Sequence, residues 1–239
     1  MPSAHATRRP YVDVRDPAGP VRAVALVLHG GRANGTGVPN NLSLARLRMR
    51  PFQKTIARAG RRHGVAAWML HYRVRGWNGA AADPVRDVTW ALAEARRRHG
   101  DSPVVLVGHS MGARAGLRAA GDPSVVAICA LAPWLPEGEP VDQLAGRTLV
   151  IAHGDRERWT DPEGSYRYAV RAKAVTPEVA RFDVVGDAHG MLRRAADWHA
   201  LARNVTLGAL GIEPFAPAVT NALHQEGTRG LRVPLPSSR

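Results

Sequence analysis

The chain has 239 residues, 45% of them hydrophobic, and a formal net charge of +13 at pH 7. That length and apolar content fit one sizeable core and exclude a compositionally disordered chain, and no apolar run is long enough to span a bilayer. The charge is scattered arginine, with Lys54 and Lys173 the only lysines, and no zinc-finger spacing, RNP motif or basic coil accompanies it, so no nucleic-acid partner is expected.

Residues 1–20 form a short N-terminal arm with room for an edge strand at 11–14. Ala23–Leu28 is a near-continuous apolar run, as expected of a strand buried on both faces of a parallel sheet. Residues 42–59 have helical spacing, with Leu44, Leu47, Phe52 and Ile56 on the apolar side and Pro51 as an expected interruption or kink. Residues 65–70 form the next strand. Asp83 then starts a helix with Pro84 at its first position and Val85, Val88, Leu92 and Ala95 as its inner stripe. Strands follow at 104–107, 125–131, 148–152 and 181–185, with helices expected at 161–174 and 191–207. Cys129, the single cysteine, sits in the apolar run Val125–Leu131 and reads as a buried structural thiol.

Strands alternating with helices imply parallel crossovers, hence an α/β fold with a mostly parallel sheet and helices on both faces. One domain is expected over residues 21–210. The Pro- and Gly-rich extension at 211–239 is expected to pack loosely or stay partly disordered. Residues 1–9 lack the apolar core of a signal peptide, so the expected location is cytoplasmic.

The most informative stretch is Val104-Val105-Leu106-Val107-Gly108-His109-Ser110-Met111-Gly112. A strand runs straight into G-x-S-x-G, and small residues open a helix behind it. A serine on so tight a turn needs neighbours without bulk, which Gly108 and Gly112 satisfy. The turn would lift the Ser110 hydroxyl above the sheet edge at a helix N-terminus, where partial positive charge favours an oxyanion.

This stretch resembles the nucleophile elbow of the α/β-hydrolase superfamily. The resemblance covers roughly residues 21–207 and implies an acyl-enzyme on Ser110, with an acid and then a base histidine following in chain order. His189, in Gly186-Asp187-Ala188-His189-Gly190, looks like the loop that brings the base over the serine. The segment Val150-Ile151-Ala152-His153-Gly154-Asp155-Arg156-Glu157 is similar to the family's strand followed by H-G-x-x-D. Counting from Gly154 puts the acid at Glu157, with Asp155 as the alternative. His29-Gly30-Gly31 resembles the family's oxyanion motif, implying N–H donors at Met111 and Gly31, with Arg32 next in line.

Residues 134–147 form too short a connection for a lid, so the resemblance is to small lidless serine esterases with no sizeable cap domain. His29, Arg32, Tyr72, Trp77 and Trp134 should lie at the C-terminal edge of the sheet, where they could line a substrate pocket. Arg73 and Arg75 could pair with an anionic group or with Asp83 and Asp87. The implied partner is a small-molecule ester, without cofactor or metal. Amide, thioester or acyl-transfer chemistry on the same triad is the alternative, as is a non-catalytic binding protein on a hydrolase scaffold.

Overall fold

The computed structural model describes residues 9–39 and 43–238. Its sheet has eight strands: β1 (Tyr11–Arg15), β2 (Ala23–Leu28), β3 (Val65–His71), β4 (Val104–His109), β5 (Val125–Leu131), β6 (Thr148–Gly154), β7 (Val179–Val184) and β8 (Val233–Pro234). They lie in the order β1-β3-β2-β4-β5-β6-β7-β8. Only β1 runs antiparallel, against β3. The helices are α1 (Leu44–Gly60), α2 (Asp83–His99), α3 (Met111–Ala119), α4 (Pro162–Lys173), α5 (Ala195–Ala209) and α6 (Pro217–His224).

The continuous apolar strands are explained by two cores, one on each face. In β2, Val24, Leu26 and Leu28 pack with Val88 and Leu92 of α2 and Leu117 of α3. Ala23, Ala25 and Val27 point the other way, toward Met49, Phe52 and Ile56 of α1 and Trp198 and Leu201 of α5. Each fully buried Leu, Ile or Phe contributes about 1.5–3 kcal/mol, so a polar residue on either face would be costly. Cys129 is buried in the second core, and burial pushes its thiol up to about 12. No helix among the described residues is long and apolar enough to cross a membrane.

Three expectations need correction. Helix α1 continues through Pro51, because Met49, Phe52 and Ile56 anchor both halves to the core, while Leu44 stands 76% exposed instead of on the apolar side. Helix α5 begins at Ala195, not 191, because the preceding residues are tied back to Asp187. That carboxylate accepts the backbone N–H groups of Arg193 and Arg194. The C-terminal extension does not pack loosely: Val219, Leu223, Leu231 and Leu235 are buried, and Val233 pairs with Phe182. Apolar residues spaced through a Pro- and Gly-rich segment were enough to anchor it.

Between β5 and β6 the helical structure is limited to a single 3-10 turn, Asp142–Leu144, so no sizeable cap is inserted there.

Candidate active site

Ser110 stands between β4 and α3 with φ 55° and ψ −119°, a conformation that side-chain-bearing residues rarely adopt. Surrounding contacts hold it there. Its N–H donates to the Leu131 carbonyl at 3.0 Å, and its own carbonyl accepts the Arg114 N–H at 3.2 Å. Strain of this kind persists only where packing over-determines it. A Cβ on Gly108 would lie 2.5 Å from the Ala113 Cα, and one on Gly112 would lie 2.5 Å from the carbonyl oxygens of Leu28 and His29. Backbone meets backbone at both glycines, which explains their identity.

Ser110 shares a cavity of about 350 Å³ with Gly31, Arg32, Met111, Trp134 and His189. The Arg32 N–H is committed to the Arg75 carbonyl at 2.9 Å. Gly31 and Met111 donate to no backbone or side-chain acceptor among the described residues, which leaves their N–H groups available at the cavity. Gly31 also tolerates no side chain, since its Cβ would lie 2.7 Å from the Arg75 carbonyl oxygen.

His189 follows β7 in a loop anchored by the buried Asp187. That carboxylate accepts from the Ala188 N–H at 2.8 Å, the Arg194 N–H at 3.0 Å and the Trp198 indole at 2.9 Å. Nδ1 of His189 lies 2.7 Å from Glu157 Oε2. An ionised carboxylate at that distance accepts a hydrogen bond, so Nδ1 carries the hydrogen and Nε2 of the neutral ring keeps a free lone pair. The other oxygen of Glu157 accepts the N–H groups of Arg158 and Trp159, both at 2.7 Å. Burial acts to raise the Glu157 pKa, but His153 at 3.8 Å, His189 and the Trp159 N–H outweigh it and hold the carboxyl well below the usual range. Glu157 is therefore ionised near pH 7. Asp155 points elsewhere, accepting the Gly186 N–H at 2.7 Å.

Two further histidines brace this pair. His109 Nε2 lies 3.1 Å from the His189 carbonyl and must donate to it. His153 reaches the Ser165 and Thr160 hydroxyls at 3.0 and 3.1 Å. Burial lowers the pKa of both, that of His109 to about 3, so both stay neutral near pH 7.

Among the expected pocket residues, Arg32 and Trp134 line the cavity and three do not. His29 is buried, with Nδ1 turned to the Gly30 carbonyl at 2.7 Å. Tyr72 is buried edge-on against His29. Trp77 is buried behind Trp134, with the Arg114 guanidinium 3.7 Å from its ring centre. All three fill space beneath the site because the loops after β2 and β3 fold inward. Arg73 pairs with Asp83 and Asp87. Sequence reasoning missed Trp159, which is 82% exposed and stacks on His189, and it missed Asp187 and Arg48. The first two lie within two residues of Glu157 and His189. Arg48 comes from α1 and carries no comparable local signal.

A sequence profile described as the alpha/beta hydrolase family matches residues 25–234. The chain belongs to that family. Solved structures with a similar fold include a serine hydrolase without lid from Xanthomonas campestris, 19% identical, with a TM-score of 0.56 over 87% of this chain and 91% of that one. A thermophilic esterase from Thermogutta terrifontis, solved with butyrate bound, is 19% identical, with a TM-score of 0.64 over 87% of this chain and 91% of that one. Est1E from Butyrivibrio proteoclasticus is 13% identical, with a TM-score of 0.65 over 84% of this chain and 95% of that one. No curated protein sequence matches the chain.

Proposed function

We propose that this family member is a serine hydrolase that cleaves carboxylic esters through an acyl-enzyme on Ser110. The observation that carries the reading is the 2.7 Å contact from Glu157 to His189 Nδ1, beside a cavity that His189 shares with the strained Ser110. A serine hydroxyl needs an adjacent base, and a histidine with a free Nε2 lone pair provides one. In the first half-reaction Ser110 Oγ attacks the ester carbonyl carbon while its proton passes to His189 Nε2. The carbonyl oxygen becomes an oxyanion that the N–H groups of Met111 and Gly31 receive. Collapse expels the alcohol, whose oxygen takes the proton back from His189. Water repeats the sequence on the acyl-enzyme and releases the acid. Glu157 holds the imidazole in the required tautomer and stabilises the imidazolium.

The substrate reading follows from the short connection between β5 and β6 and from the cavity volume. A cavity of about 350 Å³ is at the small end for a ligand site, and no inserted domain covers it among the described residues. Short acyl groups fit. In a series of p-nitrophenyl esters, acetate to butyrate should turn over faster than palmitate, and the matching anilides should be poorer still. Preference for palmitate would contradict the open site, and faster anilide or thioester cleavage would move the activity to that class.

A further inference from the structure

A second cavity of about 520 Å³ adjoins the first, and His189 and Arg48 line both. Its wall carries Arg48, Arg156, Arg158 and Arg193. Several other arginines are matched to acids: Arg96 to Asp122, Arg97 and Arg98 to Glu94, Arg114 and Arg118 to Glu139, Arg203 to Glu213, Arg232 to Glu163. The side chains of these four make no salt bridge or hydrogen bond among the described residues. Three carboxylates belong to the same loops, and the charge of Asp187 acts on Arg48 without a direct ion pair among the described residues. Glu157 holds His189, Asp155 accepts from Gly186, and Asp187 is buried under the loop with its oxygens taken by N–H groups.

Arg48 is the most constrained of the four. It is half-buried, and a Cβ on Gly190 would lie 3.7 Å from its Nη2, which places the guanidinium against the His189 loop. Its Nε is buried with no hydrogen-bond partner. Burying part of a guanidinium without a partner is costly, so a site of this kind is expected to receive an acceptor from outside the chain. A planar fork of donors suits a carboxylate or a phosphate.

The position of His189 says which half of a substrate would reach these arginines. As general acid it protonates the leaving oxygen, so the alcohol half departs on its side. Resting on the serine-hydrolase reading above, we infer that the preferred substrates are esters whose alcohol half bears an oxyanion, carboxylate or phosphate, bound by Arg48, Arg156, Arg158 and Arg193. The exposed indole of Trp159, stacked on His189, forms the flat apolar wall between the ester and that anion.

The test compares acetate release from 4-acetoxybenzoate and 4-acetoxyphenyl phosphate with that from the neutral methyl 4-acetoxybenzoate, and adds phenyl hemisuccinate, whose charge lies on the acyl half. The anionic alcohol esters should be favoured in kcat/KM, chiefly through KM, by on the order of tenfold or more at low salt. That ratio should fall as salt rises and collapse in Arg48→Gln/Arg193→Gln. It should survive in Arg61→Gln/Arg62→Gln, which removes the same charge at the opposite end of the sheet. An equal loss in both double variants, preference for phenyl hemisuccinate, or no preference would overturn the inference. Calorimetric titration with 4-hydroxybenzoate and 4-hydroxyphenyl phosphate reads the site without turnover. Binding that is lost in the Arg48/Arg193 variant, in a protein that hydrolyses no ester, would leave the anion site standing and sink the hydrolase reading. Ester hydrolysis with no anion binding would do the reverse.

Discussion

Glu157→Gln should lower turnover by on the order of 10⁴, while Asp155→Asn should retain most of the activity. The amide cannot accept and stabilise as the carboxylate does. Its NH₂ can instead donate to His189 Nδ1, which moves the imidazole proton to Nε2 and removes the lone pair that the Ser110 proton needs. Backbone geometry should survive, because the amide oxygen still accepts the Arg158 and Trp159 N–H groups. The melting temperature should therefore change far less than the rate. Asp155→Asn keeps an oxygen for the Gly186 N–H. Steady-state kinetics on an activated ester with both variants decides the assignment. The reverse pattern would make Asp155 the acid, and two fully active variants would remove both from the reaction.

Gly112→Ala should damage both stability and activity. The new methyl would sit 2.5 Å from the backbone oxygens of Leu28 and His29, and neither can rotate away. Helix α3 must then lift from β2. Overpacking at a site that cannot relax costs about 3 kcal/mol, which in a chain of this size lowers the melting temperature by roughly 6–12 °C. Ser110 and the Met111 N–H move with the helix start, and a displacement of about 1 Å at the reacting groups costs on the order of 10²-fold in rate. Gly116→Ala is the comparison. There the methyl meets the flexible end of Leu28 at 3.0 Å, and the helix gains an alanine. Thermal melts should separate the two variants clearly. Equal melting temperatures and rates would mean that the close approach of α3 to β2 does not hold the elbow.

The parts of this molecule legible in its sequence are those set by neighbours along the chain. A strand buried on both faces must be apolar throughout, so β2 to β6 announce themselves. The elbow is legible because two glycines and a serine must stand at fixed spacing where backbone meets backbone. Glu157 and His189 were expected from the resemblance of the loops after β6 and β7 to those of α/β-hydrolases, and the two side chains stand 2.7 Å apart. What depended on distant segments was not legible. Tyr72 and Trp77 looked like pocket aromatics because they follow a strand at the right edge, yet the loop carrying them turns under the site and Trp77 packs on Arg114 of another helix. Arg48 reaches the cavity from α1, and nothing around it in sequence distinguishes it from the arginines that only solvate a helix. The C-terminal segment was misjudged by composition, because proline and glycine content says little about where Leu231 and Leu235 are buried.

The central claim is that Ser110 is the nucleophile. Treating the protein with a fluorophosphonate and locating the adduct by peptide mass spectrometry tests it most directly. The account predicts one stoichiometric adduct on the peptide containing Ser110, absent in Ser110→Ala and much slower to form in Glu157→Gln. No adduct on the folded wild-type protein, or one that persists in Ser110→Ala, would contradict it.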